Sequence, residues 1–256
     1  MPTEIDLFPC LSDNYGALLH DPATGAVASV DAPDGRAVLE ALERRGWRLT
    51  DILVTHHHAD HVQGVELLKE AFPDARVVAP KAEAQRIPLV DIQVEEGDEV
   101  SVGSLKGRVI ATPGHTAGHV VYHFPDEALL FSGDTLFVMG CGRAFETPAE
   151  TLWDSLSKLK RLPPQTRVYC GHEYTLANAR FCASIEPDNV ALKARLEEVA
   201  ALRATGAPTV PTTIERELAT NSFLRSDQAT VKHELGMADQ PDAAVFAELR
   251  ARKNRG

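Results

Sequence analysis

The chain comprises 256 residues, 44% of them hydrophobic, with a formal net charge of -11 at pH 7. That much apolar material builds one large domain or two smaller ones and excludes a disordered chain. The acidic balance argues against a nucleic-acid partner, and no run approaches the ~20 apolar residues of a membrane-spanning helix.

The opening residues Met1-Pro2-Thr3-Glu4-Ile5-Asp6 lack the basic region of a secretory signal, so a cytoplasmic protein is expected. Strand-like runs follow around Leu7-Phe8, Ala17-Leu18-Leu19 and Val27-Ala28-Ser29-Val30, separated by turn formers at Asp13-Asn14-Tyr15-Gly16 and Asp21-Pro22-Ala23-Thr24-Gly25. They predict a β-meander. Val38, Leu39 and Leu42 mark a helix face ended by Gly46, and Ile52-Leu53-Val54 reads as a buried strand. Helical periodicity through Val65, Leu68 and Phe72 precedes a strand at Arg76-Val77-Val78, which makes this part βαβ-like.

Between Val94 and Ser132 the pattern returns to strands, at Val100-Ser101-Val102, Arg108-Val109-Ile110-Ala111, Val120–Phe124 and Leu129-Leu130-Phe131. Thr147-Pro148-Ala149-Glu150 predicts a capping box with proline at the first helical position, and Leu152, Leu156 and Leu159 stripe the helix behind it. Arg167-Val168-Tyr169-Cys170 is a further strand. Helical patterns then dominate at Leu176–Ser184, Val190–Ala204 and Ala243–Arg252. These elements predict an α+β chain, with two sheets face to face and helices outside over residues 1–171, then a helical domain over 172–256. Cys10, Cys141, Cys170 and Cys182 include no CxxC pair and fit reduced thiols.

One stretch resists explanation as core. Thr55-His56-His57-His58-Ala59-Asp60-His61 places metal-ligand side chains at the mouth of the Ile52–Val54 strand, where the bland alternative is a solvated histidine-rich loop. In extended backbone alternate residues share a side, so His56 and His58 can converge on one ion while His57 faces away. Asp60 and His61 remain for a second ion. Three other strand ends carry a glycine followed by a potential ligand: Gly114-His115, Gly133-Asp134 and Gly171-His172. Together they supply two ions: His56, His58 and His115 for the first, Asp60, His61 and His172 for the second, with Asp134 bridging. Two divalent ions are expected, zinc first, although imidazole and carboxylate without thiolate suit zinc, iron or manganese and side-chain identity does not separate them. His57, His119, His20, His123 and His233 are expected to be structural or surface residues, with support of a ligand from behind as the alternative for His119; Asp31 is a further candidate for such support, against an ordinary turn carboxylate. The basic end Arg250-Ala251-Arg252-Lys253-Asn254-Arg255 is either a solubilising fringe or a receptor for an anionic substrate.

On the HxHxDH stretch and the later histidine, aspartate and histidine, the sequence resembles the metallo-β-lactamase superfamily. Within it the chain is similar to the glyoxalase II, or hydroxyacylglutathione hydrolase, family. The similarity runs through Leu11-Ser12-Asp13-Asn14-Tyr15, Thr112–His119, Gly140-Cys141-Gly142-Arg143, Cys170-Gly171-His172-Glu173-Tyr174-Thr175 and Asn221-Ser222-Phe223-Leu224-Arg225. The resemblance implies a four-layer αββα sandwich, the metallo-β-lactamase fold, followed by a helical glutathione-binding domain. It implies glutathione contacts at Arg143 and Tyr174, and a carboxylate grip by Arg250 and Lys253. Phe145 departs from the pattern, because some members carry a tyrosine there.

The expected reaction is hydrolysis of the thioester S-D-lactoylglutathione, and of related S-2-hydroxyacylglutathiones, to the hydroxy acid (D-lactate) and glutathione, a step of methylglyoxal detoxification. The chemistry is assigned to the metal-activated nucleophile together with Asp60 and Asp134. The chain is expected to act as a monomer on a small-molecule glutathione thioester, without nucleic acid or membrane. A mono-iron glutathione persulfide dioxygenase on the same scaffold is the rival, followed by lactonase, phosphodiesterase or β-lactamase activity and by a non-catalytic metal-binding protein.

Overall fold

The structure is a computed structural model and describes residues 2–255. The chain divides into two compact units: the first runs to Ala111 and includes Gly118–Gly133, and the second holds Thr112–Ala117 and everything from Asp134 onward.

The first unit begins with strands β1 (Glu4–Cys10), β2 (Asn14–Asp21) and β3 (Ala26–Val30), paired antiparallel in sequence order as the meander predicts. Helix α1 (Gly35–Arg45) follows. Asp34 caps it, its carboxylate accepting from Arg36 N and Ala37 N, and Gly46 ends it in the left-handed conformation that glycine adopts without penalty. Strand β4 (Asp51–Leu53), helices α2 (Ala59–Val62) and α3 (Val65–Ala71), strand β5 (Arg76–Pro80), a 3-10 turn (Lys81–Arg86) and strand β6 (Ile92–Val94) continue. From β3 to β6 the neighbours are parallel, so helical crossovers are required between β3 and β4 and between β4 and β5. Val38 and Leu42 of α1 and Val65 and Leu68 of α3 share one buried apolar cluster with Leu18, Val27, Ile52 and Val77 of the sheet.

Strands β7 (Glu99–Val102), β8 (Leu105–Ala111), β9 (Val120–Phe124) and β10 (Leu129–Gly133) form an antiparallel meander. Tyr122 ties it to the first sheet: its buried hydroxyl donates to Val54 O at 2.7 Å. The first unit therefore layers helices, one sheet and a second sheet.

The second unit holds β11 (Leu136–Phe137), β12 (Gly140–Cys141), α4 (Ala149–Leu159), β13 (Arg167–Cys170), α5 (Thr175–Ile185), α6 (Val190–Ala204), β14 (Thr212–Thr213), α7 (Ile214–Thr220), α8 (Ala229–Glu234) and α9 (Asp242–Arg255). Strands β11 and β12 form a hairpin whose turn places Met139 at φ 55°, and β13 pairs antiparallel with β14. The predicted capping box does not form. Pro148 is the N-cap of α4, and the Thr147 hydroxyl instead donates to Gly114 O at 3.1 Å. A partner distant in sequence outcompetes the local one. Helices α7 and α8, at seven and six residues, are too short to impose a legible period and were not anticipated.

Candidate metal centre and substrate cavity

In the first unit, the segment after β4 continues extended, so the imidazoles of His56 and His58 fall on one side. His56 Nε2 lies 3.1 Å from His58 Nδ1. A tautomer follows from the partners behind. Thr55 Oγ1 sits 2.9 Å from Asp31 Oδ2 and 3.0 Å from His56 Nδ1, so its one proton goes to the carboxylate and its lone pair faces an Nδ1–H. The lone pair of His56 is thereby on Nε2, the nitrogen open to a metal. The same Asp31 oxygen is 2.7 Å from His61 Nδ1, leaving the lone pair of His61 on Nε2. His119 stacks on His56 at 4.8 Å with the planes 28° apart.

His57 turns away, as its position in the extended segment predicts. Its backbone N–H donates to Glu83 Oε2 at 2.7 Å, and its Nδ1 lies 2.7 Å from the same oxygen. The other oxygen of Glu83 accepts from Gly118 N at 2.9 Å. This buried carboxylate therefore fastens the ligand segment to the chain between β8 and β9. Asp60, in the first turn of α2, accepts from Asn14 Nδ2 at 3.0 Å, and its Oδ2 is 3.8 Å from His61 Nε2. Neither Glu83 nor Asn14 was singled out as a support in the sequence; Asn14 lies in a quoted motif, whereas Glu83 has no local signal at all.

In the second unit, Asp134 Oδ2 lies 3.4 Å from His115 Nε2 and 3.3 Å from His172 Nε2. His115 Nδ1 donates to Arg143 O at 3.0 Å, so its Nε2 carries the lone pair. Tyr174 lies flat on His172, 4.8 Å away with 5° between the planes, and Phe137 meets both rings edge-on. Ligands bound at about 2.0–2.1 Å around a tetrahedral ion are separated by about 3.3 Å. The spacings within each unit, 3.1 Å between His56 and His58 and 3.3–3.4 Å around Asp134, match such edges. The donors therefore fit a divalent metal. Each of His56, His58, Asp60, His61, His115, Asp134 and His172 belongs to a donor group able to hold one.

The second unit also contains a cavity of about 560 Å³. His115 and Asp134 line it together with Arg143, Tyr174, Arg250, Lys253 and Phe145. Its electrostatics are positive at one side: burial, then the Arg250 and Arg143 guanidiniums, hold the Lys253 ammonium below the ordinary lysine value. Lys253 Nζ donates to Ala177 O at 2.9 Å, and Arg250 Nη1 donates to Cys141 O at 3.0 Å. Phe145 is 61% exposed and sets its ring edge-on to His115 at 5.3 Å. The cysteines offer no rival nucleophile. All four are free and buried, and burial pushes the thiols of Cys10 and Cys170 up to about 12 and that of Cys182 up to about 11.

Residues 13–172 match the model of the Metallo-beta-lactamase superfamily, and residues 173–256 match that of the Hydroxyacylglutathione hydrolase C-terminus. A hydroxyacylglutathione hydrolase of Rhodopseudomonas palustris is 55% identical over 255 residues, covering 100% of both chains. The chain belongs to the hydroxyacylglutathione hydrolase family of the metallo-β-lactamase superfamily. Family members from Cereibacter sphaeroides, 53% identical over 100% of both chains, and from Brucella ovis, 53% identical over 98% of this chain and 97% of the relative, are similarly close. The fold is the metallo-β-lactamase fold with a helical C-terminal region. Among solved structures, ETHE1 from Myxococcus xanthus is 28% identical with a TM-score of 0.67 over 100% of both chains. TTHA1623 in a di-iron-bound form is 29% identical with a TM-score of 0.56, covering 66% of this chain and 92% of that one. For a hydroxyacylglutathione hydrolase, the cavity's pairing of metal-type donors with cations is the feature of chemical interest. No helix among the described residues is long and apolar enough to cross a membrane.

Proposed function

We propose that this chain hydrolyses S-D-lactoylglutathione and related S-2-hydroxyacylglutathiones to the hydroxy acid and glutathione, as a cytoplasmic monomer. The observation that carries the reading is the second-unit cavity, where His115 and Asp134 share walls with Arg143, Arg250 and Lys253. A glutathione thioester has both features such a cavity addresses: an electrophilic carbonyl and, at a distance, carboxylates.

His56, His58 and His115 are assigned to one divalent ion and Asp60, His61 and His172 to a second, with Asp134 shared. Support comes from the donor chemistry, the spacing within each unit, and a 29%-identical relative solved in a di-iron-bound form. Zinc is the metal proposed first, with iron or manganese admitted by the same ligands. When bound, such ions act as Lewis acids and lower the pKa of water toward ~7, which supplies a nucleophile without a dedicated general base.

The chain's own residues do the rest. Thr55, Asp31 and the Arg143 carbonyl hold His56, His61 and His115 in the tautomers that present Nε2. Asp60, steadied by Asn14, and Asp134, between two imidazoles, accept hydrogen bonds and orient the attacking group. Lys253 and Arg250 draw the glutathione carboxylate, and Arg143 and Tyr174 meet the rest of the glutathione moiety. Their charge acts within ~8 Å, inside the physiological screening length, so the acidic remainder of the molecule does not repel the substrate from the cavity. The departing thiol, with a pKa near ~8.5, leaves as thiolate without an acid catalyst.

The test measures hydrolysis of S-D-lactoylglutathione beside the metal content of purified protein, then repeats both with His172→Ala. Thioesterase activity with two metals per chain, lost in the variant, is expected. Undiminished activity in His172→Ala sinks the two-ion assignment, and a single iron with oxygen uptake on glutathione persulfide transfers the protein to the dioxygenase reading.

A further inference from the structure

Arg250 has a second duty besides meeting substrate. The residue is 6% exposed, held on α9 beside the buried side chains of Val245, Phe246 and Leu249, with its guanidinium over the Phe223 ring at 5.0 Å. Nε donates to Asn254 Oδ1 at 3.1 Å. Nη1 donates to Cys141 O at 3.0 Å and reaches Gly142 O at 3.5 Å. The next carbonyl along the chain, that of Arg143, accepts from His115 Nδ1 at 3.0 Å. Three consecutive residues thus run from a fixed guanidinium to an imidazole in the cavity wall.

The middle of this strap has no slack. A Cβ on Gly142 would lie 2.0 Å from Asp134 O and 3.2 Å from His115 Nδ1, so the backbone lies directly against both residues. Gly142 N donates to Thr135 O at 3.2 Å, which ties the strap to the residue following Asp134. Lys253 offers a built-in contrast. It lines the same cavity, yet its ammonium donates to Ala177 O on α5 and has no bond to the strap.

We infer that Arg250 is a positioning residue for His115, acting through Cys141-Gly142-Arg143, so that the cation facing the substrate also sets the affinity of the metal centre. The inference rests on the reading of His115 as a metal ligand. Removing the guanidinium leaves the Cys141 and Gly142 carbonyls without their donor, and the strap relaxes. The Arg143 carbonyl then no longer fixes the ring orientation and tautomer of His115. Losing an outer partner of a ligating histidine costs about 10–100-fold in metal affinity.

The experiment titrates zinc into metal-free, substrate-free full-length protein against a chromophoric chelator. The parent is compared with His115→Ala, Arg250→Ala, Arg250→Lys, Lys253→Ala and Gly142→Ala, each checked for cooperative thermal unfolding. Zinc affinity should fall at least tenfold in Arg250→Ala and Gly142→Ala, less in Arg250→Lys, which retains one donor, and not at all in Lys253→Ala. In steady-state assays Arg250→Ala should lower kcat as well as raise KM, whereas Lys253→Ala raises KM alone. Parental zinc affinity in the folded Arg250 and Gly142 variants, with affinity lost in His115→Ala, overturns the inference and leaves the ligand assignment standing. Should Arg250→Ala fail to fold, Arg250→Lys and Gly142→Ala decide the matter by the same criterion. Parental affinity in His115→Ala overturns the ligand assignment itself.

Discussion

Asp31 Oδ2 lies 2.7 Å from His61 Nδ1 and 2.9 Å from Thr55 Oγ1, so one buried carboxylate oxygen stands behind two imidazoles of the HxHxDH segment. Asp31 holds this place in the left-handed region, at φ 57°, with its N–H donating to Leu53 O and its carbonyl accepting from Ser29 Oγ. Backbone strain at a non-glycine residue persists where surrounding contacts over-determine it. Asp31→Asn keeps the size but replaces one acceptor oxygen by a donor, which faces either His61 Nδ1–H and the Thr55 hydroxyl or, flipped, the Thr55 N–H that donates to Oδ1 at 2.7 Å. Metal affinity is expected to fall about 10–100-fold, with a matching loss of kcat/KM, and a chelator competition on the metal-free protein measures it.

The sheets and the donor side chains gathered at strand ends were legible in the sequence because they depend on short-range pattern. Val27–Val30 and Ile52–Val54 are apolar runs bounded by turn formers, and His115 and Asp134 each follow a glycine at the end of a strand. The tautomer-setting contacts were partly legible, since Asp31 stands at the end of the Val27–Val30 strand. What the pattern cannot carry is pairing across long separations. Glu83 meets His57 from 26 residues away, and Arg250 meets Cys141 from 109. The failed capping box at Thr147 has the same origin, since its hydroxyl found Gly114 O, 33 residues distant. Local preference decides an element where no distant group competes for its polar atoms.

Glu217 is a second long-range device, and its removal should be felt as stability. It is fully buried, pairs with the Arg195 guanidinium and accepts from Thr212 Oγ1 at 2.7 Å through the same oxygen. Its other oxygen accepts from Met139 N at 2.8 Å and Asn221 Nδ2 at 2.9 Å, holding the strained turn between β11 and β12. Glu217→Ala leaves Arg195, 4% exposed, without its counter-charge. The expected cost is about 3–5 kcal/mol, the range for breaking a buried pair on one side. A urea melt of the variant would register it as a lower midpoint at unchanged slope.

Phe145 stands in the cavity wall, edge-on to His115 and open to solvent, where the family resemblance leads one to expect a tyrosine in some members. Phe145→Tyr adds a hydroxyl to an exposed ring, so folding stability should stay within about 0.5 kcal/mol of the parent. A hydrogen bond gained to glutathione contributes about 0.5–1.5 kcal/mol. KM for S-D-lactoylglutathione should accordingly fall by roughly 2–10-fold at constant kcat. A KM equal to that of the parent would show that the ring position lies outside reach of the glutathione chain.

The acid limb of the stability curve should report on Asp21, at the turn between β2 and β3. Burial opposes its ionisation, but hydrogen bonds outweigh that opposition and hold its carboxyl well below the usual carboxylate range. The donors are Ser104 N, Thr24 Oγ1 and Ser104 Oγ, each 2.7 Å from Oδ2, and Ala23 N, 3.0 Å from Oδ1. They join the β2–β3 turn to the hairpin between β7 and β8. A folded-state pKa below the unfolded value near ~3.9 means that the native state holds its proton less tightly than the unfolded chain. The contribution is therefore complete above ~3.9 and lost as pH falls from there through the folded value. Asp21→Asn lacks that contribution at every pH. The thermal midpoint of the variant should lie furthest below the parent near neutrality, and the gap should narrow steadily below about pH 4. A gap that stays constant down to pH 2, measured by calorimetry across the series, would assign the effect to lost packing instead of the ionised carboxylate.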